Sequence, residues 1–457
     1  MGFFKAYDMR GTFGVDFDLD MVRRVGRALP SVVGGRRWLV GRDCRETSED
    51  VSAALVGGLA EAGADVVDMG LCTTPMVYFF TAQDGYDGSV MVTASHNPPG
   101  DNGLKVSRRS ALPVGYADGL DQVERLVAAA APGPVASPGT VRRDGAEGAV
   151  RRYVSWMAER SPRLDGLKYA VDCSNGMATL VARDLFPGAE LLNDRLDGRF
   201  HCHSPNPLKE EARAQVAALV RERGLDCGVI FDGDADRAMF VDERGEFVQP
   251  DYLIPFVAQA CLRVSGMEGR PKVVHDVRTS LGSIEAIREM GCDPVMVPVG
   301  HAFAKPKMRE LSALCGGELA GHYYFGDFFG CDSGVLAALR LLGEVARAKK
   351  EGKAMSEMVA PVSSRYSNSG EVNFRVEDKD AAISRALAAA SAFGPETGRS
   401  DIDGVRVCFP DGWVNIRKSN TEPYLRLVAE RRGDVSEWVA VLSSAICALA
   451  GSGNVVL

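Results

Sequence analysis

Short apolar runs, each broken off at a polar turn and followed by a helical stretch, recur along the chain and limit its fold more than any other feature. Trp38-Leu39-Val40 runs into Gly41-Arg42-Asp43, and a helical pattern over 48–62 follows. Residues 66–70 and 88–92 are strand-like again. This is the rhythm of βαβ units in an open, mostly parallel sheet. A second unit starts with a helix over about 150–159, then a strand at 168–172 ending in Cys173-Ser174-Asn175-Gly176, and another at 228–231. A third begins near Asp251, with strands at 272–275 and 294–299 and a Gly-rich loop over 316–330. From about Tyr366 the pattern changes. Residues 371–376 alternate like a half-exposed strand, a helix follows over 380–393, and strands follow near 405–409 and 413–417. That order predicts an α+β unit with a more antiparallel sheet.

The expected fold is therefore α/β: three similar domains with mixed, mostly parallel sheets and a C-terminal α+β domain. The expected boundaries are 1–148, 149–250, 251–364 and 365–457; an Ala/Pro/Gly-rich stretch at 128–140 lies near the first. A length of 457 residues accommodates several cores. The formal charge of −8 argues against a general nucleic-acid or membrane-surface partner. No apolar run reaches the roughly 18 residues of a membrane span, and the N-terminus shows no cleavable leader. The 11 cysteines form no C-x-x-C pair, so a reduced, cytoplasmic setting is expected. Cys202 between His201 and His203 has no second ligand cluster at finger-like spacing.

Four segments carry chemistry. In Met91-Val92-Thr93-Ala94-Ser95-His96-Asn97-Pro98-Pro99 an apolar strand stops at a serine on a proline-stiffened turn. Asp232-Gly233-Asp234-Ala235-Asp236-Arg237 presents three carboxylates at alternating positions, suited to a hard divalent cation. Its arginine suits a phosphate held beside that cation. Asp232, Asp234, Asp236 and Glu243 also fall at ligand positions of an EF-hand loop, but Arg237 stands where that loop requires glycine. Arg417-Lys418-Ser419-Asn420-Thr421-Glu422-Pro423, with Arg426 beyond, crowds hydroxyls, an amide and cations into one loop, which is phosphate-binding chemistry. Gly316-Gly317-Glu318-Leu319-Ala320-Gly321-His322 sets a carboxylate for sugar hydroxyls four residues before an imidazole for proton transfer. Taken alone, His322 reads equally well as a structural histidine. Arg10 in Tyr7-Asp8-Met9-Arg10-Gly11, and Arg42 and Arg45 at a strand's end, read as anion ligands or as surface charge. Lys105 returns soon after Ser95. A serine hydrolase is the main rival for Ser95, but no G-x-S-x-G elbow is present.

In one order over almost the whole chain, these segments resemble the α-D-phosphohexomutase family, on the bacterial phosphomannomutase/phosphoglucomutase side. The resemblance implies four domains around a central cleft, each giving one loop. It implies a phosphoryl group carried on Ser95, and Mg²⁺ held by Asp232, Asp234 and Asp236 with a phosphoserine oxygen. Arg237 would help hold that phosphate, Lys105 or His322 would move the proton, and Arg10 would stabilise charge. Glu318 would bind sugar hydroxyls, joined by His301 and Lys305 of Val299-Gly300-His301-Ala302-Phe303-Ala304-Lys305. Arg417, Ser419, Asn420 and Thr421 would hold the substrate's own phosphate, with Arg426 beside them. Ala320 stands where such members carry a serine, which removes one hydroxyl contact to the sugar. Ser419-Asn420-Thr421, where the phosphoglucosamine branch has Ser-Gly-Thr, favours mannose or glucose phosphates. The expected partners are hexose phosphates, with a hexose 1,6-bisphosphate as intermediate and activator, acting on a monomer or weak homodimer. Phosphoglucosamine mutase, and a non-catalytic sugar-phosphate or metal binder, are the alternatives.

Overall fold

The computed structural model describes residues 2–129, 133–143, 146–419, 424–448 and 455–456. Four sheets follow one another along the chain. The first has the order Met9–Thr12, Asp101–Arg108, Gly88–Val92, Arg37–Arg42, Asp65–Leu71, Val141–Arg143, with Leu112–Pro113 paired to Asp101–Arg108. Arg37–Arg42 lies parallel to both Asp65–Leu71 and Gly88–Val92. The second is Phe247–Val248, Ala238–Asp242, Cys227–Phe231, Tyr169–Asp172, Glu190–Leu192. The third is Asp293–Val297, Lys272–Asp276, Cys315–Gly317, Tyr323–Phe325, Cys331–Asp332. All three are mixed, with a parallel centre built by helical crossovers and antiparallel strands at one edge. The fourth is antiparallel throughout its described pairs and is built on Gly398–Ser400, Val405–Phe409, Gly412–Lys418, Leu425–Arg431 and Val372–Phe374.

Antiparallel strand pairs decide where function sits. In the first sheet, Gly88–Val92 turns back into its antiparallel partner Asp101–Arg108, and the turn contains Ser95. In the second, Cys227–Phe231 turns back into Ala238–Asp242, and the turn is the acidic loop. In the third, Cys315–Gly317 turns back into Tyr323–Phe325 through Glu318 and His322. In the fourth, Gly412–Lys418 pairs antiparallel with Leu425–Arg431, and Ser419 directly follows the first of these strands. All four segments singled out by their residues are thus one topological element, used four times.

The stretch expected as a loop over 316–330 contains two strands and a short 3₁₀ turn, Gly326–Phe328. Its glycines hid the strand. A Cβ at Gly316 would stand 2.7 Å from the Val274 carbonyl oxygen, and one at Gly317 would stand 2.6 Å from an Ile254 side-chain carbon. Glycine there permits close packing of sheet and helix rather than a flexible chain.

The first three units share one apolar core. Phe79 of helix Thr74–Gln83, Trp156 of helix Ala146–Ala158 and Phe328 pack with ring centroids 5.4–6.4 Å apart. The fourth keeps its own core, with Phe393 stacked on Trp438 at 4.3 Å. It meets the third through polar contacts, among them Leu281 N–H donating to Glu430 (2.7 Å) and Arg406 donating to the Val277 carbonyl. No described helix is long and apolar enough to cross a membrane.

Candidate active site

Ser95 sits in the left-handed backbone region, at φ 51°, and is buried. Its backbone is held from several sides. Its N–H donates to Thr93 Oγ1 (2.9 Å). Arg45 donates to four carbonyl oxygens of the turn, those of Ser95, Asn97, Pro98 and Asp101, at 2.6–3.0 Å. Arg45 is therefore a buried scaffold for the serine turn rather than an anion ligand, whereas Arg42 pairs with Glu49 at the surface. From the other side comes Gly233, where a Cβ would lie 2.5 Å from the Ser95 carbonyl oxygen. No side chain fits between the serine turn and the acidic loop.

This close approach sets the chemistry. Ser95 Oγ donates to Asp232 Oδ2 at 2.7 Å. Asp232, Asp234 and Asp236 are all buried, with carboxylate oxygens that lie within 4.8 Å of one another. Lys105 Nζ reaches Asp234 at 2.7 Å and Asp236 at 2.6 Å. Thr74, at the start of its helix, donates to Asp234 at 2.6 Å. Burial raises the Asp232 carboxyl well above the usual range, and the neighbouring Asp236 and Asp234 charges add to it. Burial would raise Asp236 too, but Lys105 and His322 hold it below. The lysine's own desolvation is more than offset by Asp234 and Asp236, so it stays charged.

The acidic loop touches the third unit through Arg237. Its Nε donates to His322 Nε2 at 2.9 Å. That nitrogen is therefore an acceptor, and the ring proton lies on Nδ1, which faces Asp332 at 2.7 Å. Lys305 Nζ is 2.8 Å from the same carboxylate and lies over the Tyr78 ring. Asp232, Asp234, Asp236 and Asp332 thus lie buried among Lys105, Lys305 and Arg237. Asp234 Oδ1 and Asp236 Oδ1 have no hydrogen-bond partner. An all-oxygen donor set with orphaned carboxylate atoms fits a hard divalent cation.

Glu318 is buried, accepts from the Tyr324 hydroxyl at 2.6 Å, and is raised by burial. Ala320 lies half-buried in its turn. His301, with an unpartnered Nδ1, stands near the His322 ring and Tyr7. Arg10 donates to Asp8 and Asn97 and keeps an unpartnered Nε. Arg417 and Arg426 face each other across the last hairpin, and both engage Glu371. Ser419 is buried and follows the strand that carries Arg417; Asn420 and Thr421 lie outside the described residues.

Two rival readings fail on geometry. Glu243 does not return to the acidic loop as an EF-hand ligand would; it accepts from Ser356 N–H (3.0 Å) and Ser356 Oγ. His96 lies 3.4 Å from Ser95 Oγ. Burial, Arg237 and Arg10 push its protonation far down, and no carboxylate orients it among its described hydrogen bonds. That is not a hydrolase triad. His203 is held by Asp172, His201 by Asp197, and Cys202 is exposed, so this cluster assembles no metal site.

Sequence reasoning missed Thr74, Asp332, Arg278 and Glu371. Asp332 closes the short strand Cys331–Asp332 and Arg278 comes two residues after Lys272–Asp276, where a polar residue at the end of an apolar run was available as a signal. Thr74 and Glu371 carried no signal beyond composition.

The comparisons agree with this geometry. Models of the phosphoglucomutase/phosphomannomutase alpha/beta/alpha domains I, II and III match residues 1–132, 151–245 and 249–366, and the C-terminal domain of the same set matches 371–441. A protein of Xanthomonas campestris pv. campestris (strain B100), described as phosphohexose mutases, is 38% identical over 439 residues, 95% of this chain and 96% of its own. A phosphomannomutase of Escherichia coli (strain K12) is 36% identical over 449 residues, 94% of this chain and 95% of its own. A crystal structure of a phosphoglucomutase/phosphomannomutase family protein from Burkholderia thailandensis superposes with a TM-score of 0.86 at 31% identity, covering 99% of this chain and 98% of that one.

Proposed function

The chain belongs to the phosphoglucomutase/phosphomannomutase family, and from that premise we propose that it moves a phosphoryl group between the 1- and 6-oxygens of mannose or glucose phosphates, with Ser95 as the carrier. One observation carries the reading: a buried serine hydroxyl, fixed on a rigid turn, is hydrogen-bonded to the first carboxylate of a cation-ready acidic loop. Phosphoryl transfer asks mainly for positioning and charge neutralisation, and this arrangement supplies both.

Mg²⁺ held by Asp232, Asp234, Asp236 and the Ser95 oxygen would supply positive charge against the phosphoryl oxygens. The chain's own residues do the rest. In the first half-reaction the bond from Ser95 oxygen to phosphorus breaks as a sugar hydroxyl oxygen takes the phosphoryl group. His322, with Nδ1 facing Asp332, takes the hydroxyl proton at Nε2 as Arg237 leaves that nitrogen for the phosphoryl oxygens. Lys105, charged and bound to two carboxylates, acts as a fixed cation in that step. The 1,6-bisphosphate then turns over and returns its other phosphoryl group to Ser95. Glu318 contacts the sugar in both orientations, while the Arg417 loop grips whichever phosphate is not reacting. The four domains 1–148, 149–250, 251–364 and 365–457 would each contribute one hairpin turn to this cycle.

The test is a coupled assay on mannose, glucose and glucosamine 1-phosphates, with and without Mg²⁺ and a bisphosphate activator. Turnover highest on mannose or glucose phosphate, together with about 80 Da of added mass on the Ser95 peptide, the mass of one phosphoryl group, is expected. No turnover on any hexose phosphate would overturn the reading, and a preference for the glucosamine ester would reassign the substrate. Arg417→Ala should raise KM about a hundredfold or more, the scale of a lost charge-assisted phosphate contact, with a smaller change in kcat. An unchanged KM would remove the residue from the phosphate subsite.

A further inference from the structure

The hairpin that carries the phosphate loop contains an electrostatic conflict. Arg417 and Arg426 are register partners on adjacent antiparallel strands. Like charges directly opposite each other destabilise a sheet, and Arg417 is almost wholly buried. A third guanidinium, buried Arg278, approaches from the third unit. One carboxylate resolves the conflict. Glu371 accepts from Arg417 Nη2 at 2.8 Å and from Arg278 Nη1 at 3.3 Å on Oε2, and pairs through Oε1 with Arg426 Nη1 at 2.9 Å. Arg278 keeps a second anchor in Asp276, at 2.6 Å, so it does not depend on Glu371. Burial works against the Glu371 charge, but the three arginines hold its carboxyl down to about 2. Arg417 Nε has no partner, so its guanidinium is not saturated by the contact.

A monoanion clamped between arginines has the charge and geometry of a weak phosphate substitute. We propose that Glu371 is a resident counter-anion of the phosphate subsite, holding Arg417 and Arg426 together until a substrate phosphate takes them over and recapturing them when it leaves. This rests on the phosphate-subsite reading of Arg417 and goes beyond it. A mutase whose intermediate turns over must grip and release a phosphate at this subsite within each cycle. A competing internal carboxylate keeps both guanidiniums placed while limiting how tightly any phosphate is retained. Because Arg278 belongs to the third unit, the same carboxylate ties the third and fourth units together while the subsite is empty of phosphate.

The test uses the full chain and inorganic phosphate, titrated by calorimetry into wild type and Glu371→Gln. Removing the competing charge while keeping shape should tighten phosphate binding about fivefold or more, the scale of one partly screened charge contact. KM for a hexose 1-phosphate should fall with it, and kcat should fall as well because release slows. Unchanged or weaker phosphate binding in a variant with a cooperative melting transition would overturn the proposal and leave Glu371 a structural clamp. If Glu371→Gln does not fold, Glu371→Asp decides instead: a carboxylate one methylene shorter spans fewer guanidiniums and should shift phosphate affinity in the same direction. Wild type that fails to bind phosphate at all would sink the subsite reading itself. Equal phosphate binding by wild type and Glu371→Gln would sink only the role of Glu371.

Discussion

Ser95→Ala loses at least a thousandfold in turnover on a hexose 1-phosphate, while the affinity for that substrate stays within a few-fold of wild type. The size follows from the role: without a hydroxyl to carry the phosphoryl group, no covalent route remains, and such losses are commonly three orders of magnitude or more. The split between kcat and binding follows from the structure. Ser95 Oγ makes one strong hydrogen bond, to Asp232 at 2.7 Å. The turn itself is fixed by Thr93 and by Arg45 acting on four carbonyl oxygens, none of which the substitution touches. Alanine meets the left-handed backbone at this position with a strain similar to that of serine. The stability change is therefore about 1 kcal/mol, the net worth of one hydrogen bond. Steady-state kinetics, a substrate titration and a melting curve on the same preparation separate these effects. Turnover within tenfold of wild type would remove Ser95 from the covalent role, whatever the melting curve shows.

Much of this site was legible because its chemistry is written in contiguous strings. The serine turn, the acidic loop and the arginine loop each place their functional atoms within a few residues, so residue type and spacing suffice to nominate them. What joins them was legible only through the family resemblance, which placed Ser95 and the acidic loop on one metal; the residue patterns alone did not show it. Ser95 to Asp232, Arg237 to His322, and Arg278 to Glu371 are contacts across 137, 85 and 93 residues of chain. Pattern reading follows local periodicity and has no access to such distances. Arg45 shows the limit: at a strand's end its sequence left a site residue and surface charge both open, yet it is buried and its donors are spent on backbone carbonyls of another loop. The loop over 316–330 shows a second kind. Glycines that let strands pack closely look, in sequence, like glycines that loosen a chain. The alternation of apolar strands and helices did predict three mixed sheets, because burial on both faces forces it. It did not reveal that the same hairpin recurs in each unit: Asp101–Arg108 carries many polar residues, and Tyr323–Phe325 is only three residues long.

Lys105→Met carries the second large effect, and its logic is charge rather than covalency. Asp234 and Asp236 are buried, and Lys105 is the cation in direct contact with both, at 2.7 and 2.6 Å. A methionine of similar length fills the volume and leaves two like charges facing each other. Removing one partner of a buried ion pair typically costs about 3–5 kcal/mol, so in the absence of divalent ions the variant melts well below wild type. Excess Mg²⁺ should restore part of that loss, and should stabilise the variant more than it stabilises wild type. The ion and the lysine answer the same Asp234 and Asp236 charges, and the orphaned Asp234 Oδ1 and Asp236 Oδ1 are open to the ion in both proteins. Turnover does not return with stability: about a hundredfold loss or more persists, because a fixed charge beside the transferred group is worth that much in the transition state. Equal melting temperatures for variant and wild type without metal would show that the carboxylates are neutralised by another route. Full recovery of turnover on adding Mg²⁺ would show that the lysine serves stability alone.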